Sequence, residues 1–431
     1  MHVTNPVPPI AADSLLIFLL QVGLLLLVAL VLGRLATRLG MPALVGELGT
    51  GVLLGPSLLG HIAPEVSEWL LPRDAAQFHM LDAVGQIGVL LLVGITGMHL
   101  DLDLIKRKGT TAVRVSVAGL VVPLLCGVGV GLLLPGSLMA AQGDRTVFAL
   151  FLGVALCVSA IPVIAKTLMD MNLLHREVGQ LTLAAGTIDD VFGWLMLSVV
   201  SAMATTGLRA GSIVQSLVAL AVFVLIVVTV GRTAVGVLLR PVSRSPGPAV
   251  AAVVVLLLGG AAATHALGLE AVFGAFILGI LIGQAPGFDL SLLAPLRTVV
   301  LAVLAPIFFA TAGLRMDLTA LGDSAILLAA LLVVVIAIAG KFVGAFIGAL
   351  SSRLSGWEAL ALGAGMNARG VIEVIVAMVG LRLGVLNTAS YTILILVAVI
   401  TSLMAPPLLR LAMNRVADQP GERERALRTV S

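Results

Sequence analysis

The sequence predicts an all-α polytopic membrane protein of about 13 transmembrane helices, built as two inverted repeats with broken crossing helices. Three observations predict it. The 431 residues are 60% hydrophobic and only 11% charged, with a mean hydropathy of +1.17, which excludes an ordinary soluble domain. Apolar runs of about 20 residues, the length that crosses about 30 Å of hydrocarbon, recur along the whole chain. Two sets of motifs repeat at a fixed offset. The 47 glycines suit close helix packing in lipid. The two cysteines, Cys126 and Cys157, lie inside apolar runs and read as small core residues, with no disulfide framework or metal site.

The runs cover 14–34, 43–60, 80–98, 113–134, 147–168, 178–202, 213–236, 248–266, 268–284, 298–314, 324–349, 357–380 and 389–411. The N-terminus lacks a basic segment and an A-x-A site, so no removable signal peptide is expected. The tail after Leu411 is short and charged, too short for a folded regulatory domain. Basic residues crowd one alternate set of loops and span ends: Arg34, Arg38, Lys106, Arg107, Lys108, Lys166, Arg176, Arg232, Arg240, Arg244, Arg297, Arg353 and the tail arginines. The opposite set holds only Arg73, Arg145, Arg209, Arg315 and Arg382. The positive-inside rule then places the N-terminus outside and the C-terminus in the cytoplasm of a multi-pass cell-membrane protein. Its net charge of +3 reports topology, so no nucleic-acid partner is expected.

The halves echo each other. Span 2 contains VGELGTGVLLG and span 9 LEAVFGAFILG; span 3 ends GITGMHLDL and span 10 ATAGLRMDL. Gly97 and Gly313 are 216 residues apart, as are Asp101 and Asp317. That offset spans seven helices, an odd number, so the second copy is inverted. Inverted repeats with a site at their midplane are the pattern of secondary transporters. Spans 5 and 12, which correspond, are both interrupted. Span 5 carries Ser159-Ala160-Ile161-Pro162, and Pro162 removes a backbone donor. Span 12 carries LGAGMNARG, with Asn367, Arg369 and Gly370. Matched interruptions point to a binding site, where freed carbonyls and half-helix ends can hold a cation. An ordinary proline kink and a glycine packing seam are the alternative.

The strongest signal is span 6, VGQLTLAAGTIDDVFGWLMLSVVSA, with Asp189 and Asp190 near its middle. One charge at mid-depth costs roughly 2.5–3.5 kcal/mol on insertion scales, and two in a row read as an ion or proton site. Ser159, Asn367 and Lys341 fall at a similar depth on three other spans, and Thr187 joins the candidate cation- and proton-binding set with Asp189, Asp190 and Ser159. Adjacent helical residues point about 100° apart, so one aspartate can pair with Lys341 while the other faces a water-filled cavity. Lys341 is either a structural counter-ion or a group that exchanges a proton when a cation binds. Arg369 and Glu373 have the spacing of an intrahelical pair that would hold the broken helix. Glu47 and Glu270, near the ends of spans 2 and 9, read as interfacial or packing residues. No ATP-binding motif is present, which disfavours a primary pump. No cofactor and no enzyme activity are expected.

MPALVGELGTGVLLGPSLLG, SAIPVIAKTLMDMNLL, GTIDDV, FGAFILG, GLRMDL and GMNARGVIEVIVAMVGLRLGVL together resemble the monovalent cation:proton antiporters, of the second of their two large subfamilies. The resemblance covers nearly all spans and implies the sodium/proton antiporter fold. It implies that Asp190 carries the cation and proton, with Asp189 as its neighbour paired to Lys341. It implies a homodimer in the bilayer, with residues 1–110 and 246–320 as a dimerisation domain. Residues 111–207 and 321–412 would form a mobile ion-transport core, 208–245 a connector and 413–431 a cytoplasmic tail. The aspartate pair with Lys341 resembles sodium exchangers, whereas the span 12 signature resembles potassium-type members. The expected function is exchange of a monovalent cation, Na+ preferred, for protons. A K+/H+ antiporter, a proton-coupled exporter of a charged small molecule and a gated cation channel are the alternatives.

Overall fold

The computed structural model describes residues 9–71, 74–100, 102–141, 143–171, 173–206, 210–242, 245–417 and 422. Arg73, Asp101, Arg209, Arg244, the first eight residues and the tail arginines Arg423, Arg425 and Arg428 lie outside them. The described residues are almost entirely helical, and their only extended pairing is an isolated bridge between Met139 and Leu386.

The helices are α1 (Ala12–Arg38), α2 (Ala43–Leu54), α3 (Ala75–Met98), α4 (Leu102–Leu133), α5 (Arg145–Cys157), α6 (Ile161–Asp170), α7 (Glu177–Thr206) and α8 (Ala210–Ile226, continued through a π-helical turn to Leu239). They continue as α9 (Pro246–Ala266), α10 (Ala271–Gly283), α11 (Leu290–Leu314, with a π-helical turn at Val300–Leu304), α12 (Ser324–Ser351), α13 (Gly356–Met366), α14 (Val371–Arg382) and α15 (Thr388–Met413). Their starts are written in the sequence. Asp144 accepts from the Thr146 and Val147 amides at α5, and Asp323 from Ala325 and Ile326 at α12. Ser355 with Glu358, and Asn387 with Ser390, form reciprocal caps at α13 and α15.

Eleven helices among the described residues are long and apolar enough to cross a bilayer, and α13 with α14, bent by 46° at their break, makes a twelfth. The remaining segment expected from sequence, 268–284, contains the 13-residue helix α10. At 1.5 Å per residue it is about 20 Å long, shorter than a standard span. Its counterpart α2 is equally short at 12 residues and reaches the 20 residues of a span only together with the turn and the helix Leu59–Ile62 that follow it. The shortness is therefore a property of the repeat. Gly40 and Gly268, 228 residues apart, both turn the chain at positive φ (76° and 74°) between a long helix and a short one. In both, the next residue bonds back across the turn: Met41 N–H to Ala36 and Leu269 N–H to Thr264, each at 2.9 Å. The register then shortens to 216 because the first copy carries two extra short helices, Leu59–Ile62 and Pro64–Leu70.

The chain divides into two compact units, residues 1–88 with 301–316 and residues 89–300 with 317–431. In the first, α1, α2 and the end of α11 pack together around Leu25, Leu81, Ile307 and Leu314. Gly313 lies against the Leu48 carbonyl there. In the second, Gly97 lies against the Phe276 carbonyl. Leu48 and Phe276 are again 228 residues apart, so the repeat is preserved in packing as well as in sequence.

The second unit holds every candidate site residue. Its strongest contact is between α4 and α12. Gly340, Gly344 and Gly348, one every four residues on α12, meet Pro123, Ala118–Gly119 and Arg114–Val115 of α4. Side chains at these positions would strike backbone, so the two helices approach as closely as small residues allow. This seam brings Ser116 of α4 and Lys341 of α12 to the same depth as α7.

Candidate functional site

Two backbone interruptions frame the site. The first separates α5 from α6 at Val158–Ala160, and the second separates α13 from α14 at Asn367–Gly370. They touch: the Ala160 amide donates to the Ala368 carbonyl at 3.2 Å. Non-helical backbone at membrane depth requires that its freed groups find partners within the protein. Here side chains supply most of them. Arg369 Nη2 donates to the Leu156 carbonyl at 2.6 Å and to Ala337 at 2.9 Å. Lys341 Nζ donates to the Cys157 carbonyl at 2.6 Å. The Ser159 hydroxyl is 2.8 Å from the Met366 carbonyl, and Ser402 donates to the Arg369 carbonyl.

Asp189 and Asp190 sit beside these breaks on α7, both with 0% exposure. Asp189 is fully engaged. Its Oδ1 accepts from Ser116 Oγ at 2.6 Å, and its Oδ2 from Ser159 Oγ at 2.9 Å and Lys341 Nζ at 2.6 Å. Lys341 is itself fully buried. Asp190 has neither oxygen bonded among the described residues. The Ile161 amide, at the open N-terminus of α6, lies within its electrostatic reach but closes no hydrogen bond. A buried carboxylate without a closed hydrogen bond or an adjacent counter-ion is costly. A proton or a small cation is the simplest group that neutralises it.

The other candidates take separate positions. Arg369 Nη1 reaches Glu373 Oε1 at 3.3 Å in a buried pair, leaving Arg369 Nε and Glu373 Oε2 without a partner. Asn367 donates weakly to the Ile338 carbonyl at 3.3 Å, and its Oδ1 is unpartnered. The Thr187 hydroxyl donates to Leu183 one turn back. Pro162 lies in the first turn of α6 and Gly370 caps α14. Glu270, at the start of α10, pairs with Arg382 of α14 at 2.6 Å, and Glu47 is half-buried on α2. Cys157 contributes its carbonyl to the site, while its thiol donates to Val154 at 3.3 Å. Two features of the candidate site escaped the sequence reading: Ser116, a lone hydroxyl in an apolar run, and the Gly340–Gly344–Gly348 seam that carries it to Asp189. The seam's signal, a glycine at every fourth position of an apolar segment, was available.

Inverted repeats, crossing breaks and paired intramembrane carboxylates define a secondary membrane transporter. The family model described as sodium/hydrogen exchanger, transmembrane, matches residues 24–415, and the chain belongs to that family. It is 32% identical over 415 residues to Cation/H(+) antiporter 20 of Arabidopsis thaliana, covering 91% of this chain and 48% of that one. It is 30% identical to the Na(+)/H(+) antiporter NhaS4 of Synechocystis, covering 92% of this chain and 97% of that one. The chain thus spans about half the length of the plant relative and nearly all of the cyanobacterial one. Among solved structures, the sodium proton antiporter MjNhaP1 of Methanocaldococcus jannaschii superposes with a TM-score of 0.67 at 18% identity, covering 93% of this chain and 99% of that one. At that identity the likeness speaks for the fold.

Proposed function

We propose that this chain is a secondary antiporter exchanging a monovalent cation, Na+ preferred, for protons across the cell membrane. One observation carries the reading: Asp190 is fully buried and unpartnered, while its neighbour Asp189 is saturated by Ser116, Ser159 and Lys341. Only a group that arrives and leaves can balance Asp190, and a cation and a proton serve equally well. Both ions then compete for one locus, and a single site serves both sides in turn. The names of the relatives support the reading: a Na(+)/H(+) antiporter in Synechocystis, K(+)/H(+) antiporter 1 in Saccharomyces cerevisiae at 28% identity, and the Na(+)/H(+)-K(+) antiporter GerN in Bacillus cereus at 28%.

In this proposal the chain works as a homodimer, with residues 1–110 and 246–320 forming the dimerisation part and 111–207 and 321–412 the moving core. The N-terminus faces outward and the C-terminus the cytoplasm, a reading supported by the distribution of Lys and Arg in the loops. The test is reconstitution of the purified full chain in liposomes, with Na+, Li+, K+ and Rb+ compared while internal pH is read. Saturable, cation-dependent proton counterflow is expected, with an apparent cation affinity that improves as pH rises and then levels off. A cation KM constant across three pH units at fixed membrane potential contradicts a shared locus, and unsaturable flux without proton movement contradicts antiport.

A further inference from the structure

Asp190 begins a row of unpartnered polar groups along α7. Trp194 Nε1, Ser198 Oγ and Ser201 Oγ also have no hydrogen-bond partner among the described residues, and their side chains are 1%, 0% and 2% exposed. At 3.6 residues per turn these four positions fall within about 80° of arc, and Asp190 to Ser201 spans about 17 Å of helix. They form one stripe from the mid-depth carboxylate toward the Thr206 end of α7. Hydroxyls inside membrane helices ordinarily bond back to the carbonyl one turn earlier. In this protein Thr182, Thr187, Thr205 and Thr401 all do so. Ser198 and Ser201 do not. Buried polar groups left open in a row are the mark of a path that water or an ion occupies in some state of the protein. The stripe also has a closure: the Trp194 ring packs on Phe276 of α10, centroids 6.1 Å apart at 49°.

We propose that the Asp190–Trp194–Ser198–Ser201 face of α7 is the hydrated route between Asp190 and the outer surface. In it Ser198 and Ser201 provide successive hydroxyl ligands for water, hydronium or a monovalent cation, and the Trp194–Phe276 contact shuts the route next to the carboxylate. The inference rests on the antiport reading for what travels and on the loop-charge orientation for which side it opens to. Its physical content, an aqueous path along one face of α7, is separate from both. The serines act on the moving ion through direct contact and leave the charge balance at Asp190 unchanged. They therefore govern the rate of passage rather than the affinity of the site.

The test uses the full chain in sealed right-side-out and inside-out vesicles. Ser198→Cys and Ser201→Cys are exposed to a membrane-impermeant charged methanethiosulfonate, with the parent chain as control for Cys126 and Cys157. Both introduced thiols are expected to react from the outer side. The double variant Ser198→Ala/Ser201→Ala is expected to keep its cation KM and lose turnover by about fivefold for each hydroxyl removed. Thiols that stay unreactive from outside, or react only from inside, overturn the route. A double alanine variant with wild-type turnover overturns it as well. Outer labelling of Ser198→Cys and Ser201→Cys, together with no cation–proton exchange by the parent chain, would strike the antiport reading and leave the route standing, so the two failures are distinguishable.

Discussion

Asp189 and Asp190 are consecutive on one helix and equally buried, yet they belong to two regions with opposite chemistry. Around Asp189 both carboxylate oxygens have partners, although Asn367 Oδ1, Arg369 Nε and Glu373 Oε2 at the second break stay open. The carboxylate takes two hydroxyls and an ammonium, and the carbonyls that the α5 break exposes are taken by Lys341 and Arg369. Asp190 closes no hydrogen bond among the described residues, with the Ile161 amide within electrostatic reach, and the open groups continue along α7 to Ser201. The difference teaches how a broken helix is used here. Sequence suggests that carbonyls freed at the break could hold a transported cation. In the structure Leu156 and Cys157 do hold cations, but these are the protein's own guanidinium and ammonium. The Asp189 region is thus a scaffold held by internal charges, and in the function proposed above the exchangeable charge is concentrated on Asp190.

The largest effect should follow from removing that concentration. Asp190→Asn keeps the shape of the side chain but cannot alternate between charged and neutral forms. Exchange in liposomes is expected to fall to the level of protein-free controls, while the variant inserts and melts like the parent. Proton-coupled flux near the wild-type rate would move the exchangeable charge elsewhere, and the contrast between the two regions would collapse.

The next effect lies in the scaffold. Arg369 joins the Leu156 and Ala337 carbonyls to Glu373 from a position with 0% exposure. Removing one partner of a buried ion pair costs about 3–5 kcal/mol, because the other is left uncompensated. Arg369→Ala is therefore expected to lower thermal stability in detergent more than any substitution at Asp190. Arg369→Lys should not rescue it, since a single ammonium cannot reach both carbonyls and the carboxylate. A melting temperature unchanged by Arg369→Ala would show that the break is held by its backbone contacts alone.

How far each region is legible in the sequence follows from the physics that builds it. The Asp189–Lys341 contact could be anticipated because two opposite charges at one depth in lipid must meet. The contact between Arg369 and Glu373 follows from their spacing on one turn. The repeat is legible because Gly97 and Gly313 sit against backbone carbonyls that a side chain would strike, while Gly40 and Gly268 hold a positive φ that other residues rarely adopt. Ser116 was not legible: one hydroxyl in an apolar run reads as a helix residue bonded to its own backbone, and only the depth of the α4–α12 seam aims it at Asp189. The length of α10 was also hidden, because hydropathy runs on through the turns at both of its ends. The open groups at Trp194, Ser198 and Ser201 are invisible to pattern alone, since whether a polar group is satisfied is a property of the packed structure.

A smaller effect separates the two regions electrically. Lys341→Gln leaves Asp189 with amide and hydroxyl donors but no positive charge, and Asp190 keeps its contacts while losing the more distant pull of the ammonium. Transport is expected to survive with less charge moved per turnover. Each charge carried responds to voltage by about 2.3 kcal/mol per 100 mV, so the voltage dependence should weaken in step. Currents on solid-supported membranes measure this directly. Wild-type charge per turnover in Lys341→Gln would make the lysine a counter-ion within the scaffold and nothing more.

The smallest effect, and the sharpest on the comparison, should come from Ser116→Ala. Among the described residues the hydroxyl is the only partner of Asp189 Oδ1, at 2.6 Å, and its helix makes no bond to Asp190. A hydrogen bond to a charged group contributes about 1.5–3 kcal/mol, so its loss should be visible as reduced thermal stability. Asp189 retains Ser159 and Lys341 on its other oxygen, so the pair with the lysine survives and the charge balance at Asp190 stays as it was. Cation KM and charge per turnover are therefore expected to match the parent. If Ser116→Ala instead weakened cation affinity as strongly as it weakened the fold, the two carboxylates would be acting as one site, and the division between scaffold and exchangeable charge would have to be drawn outside both of them.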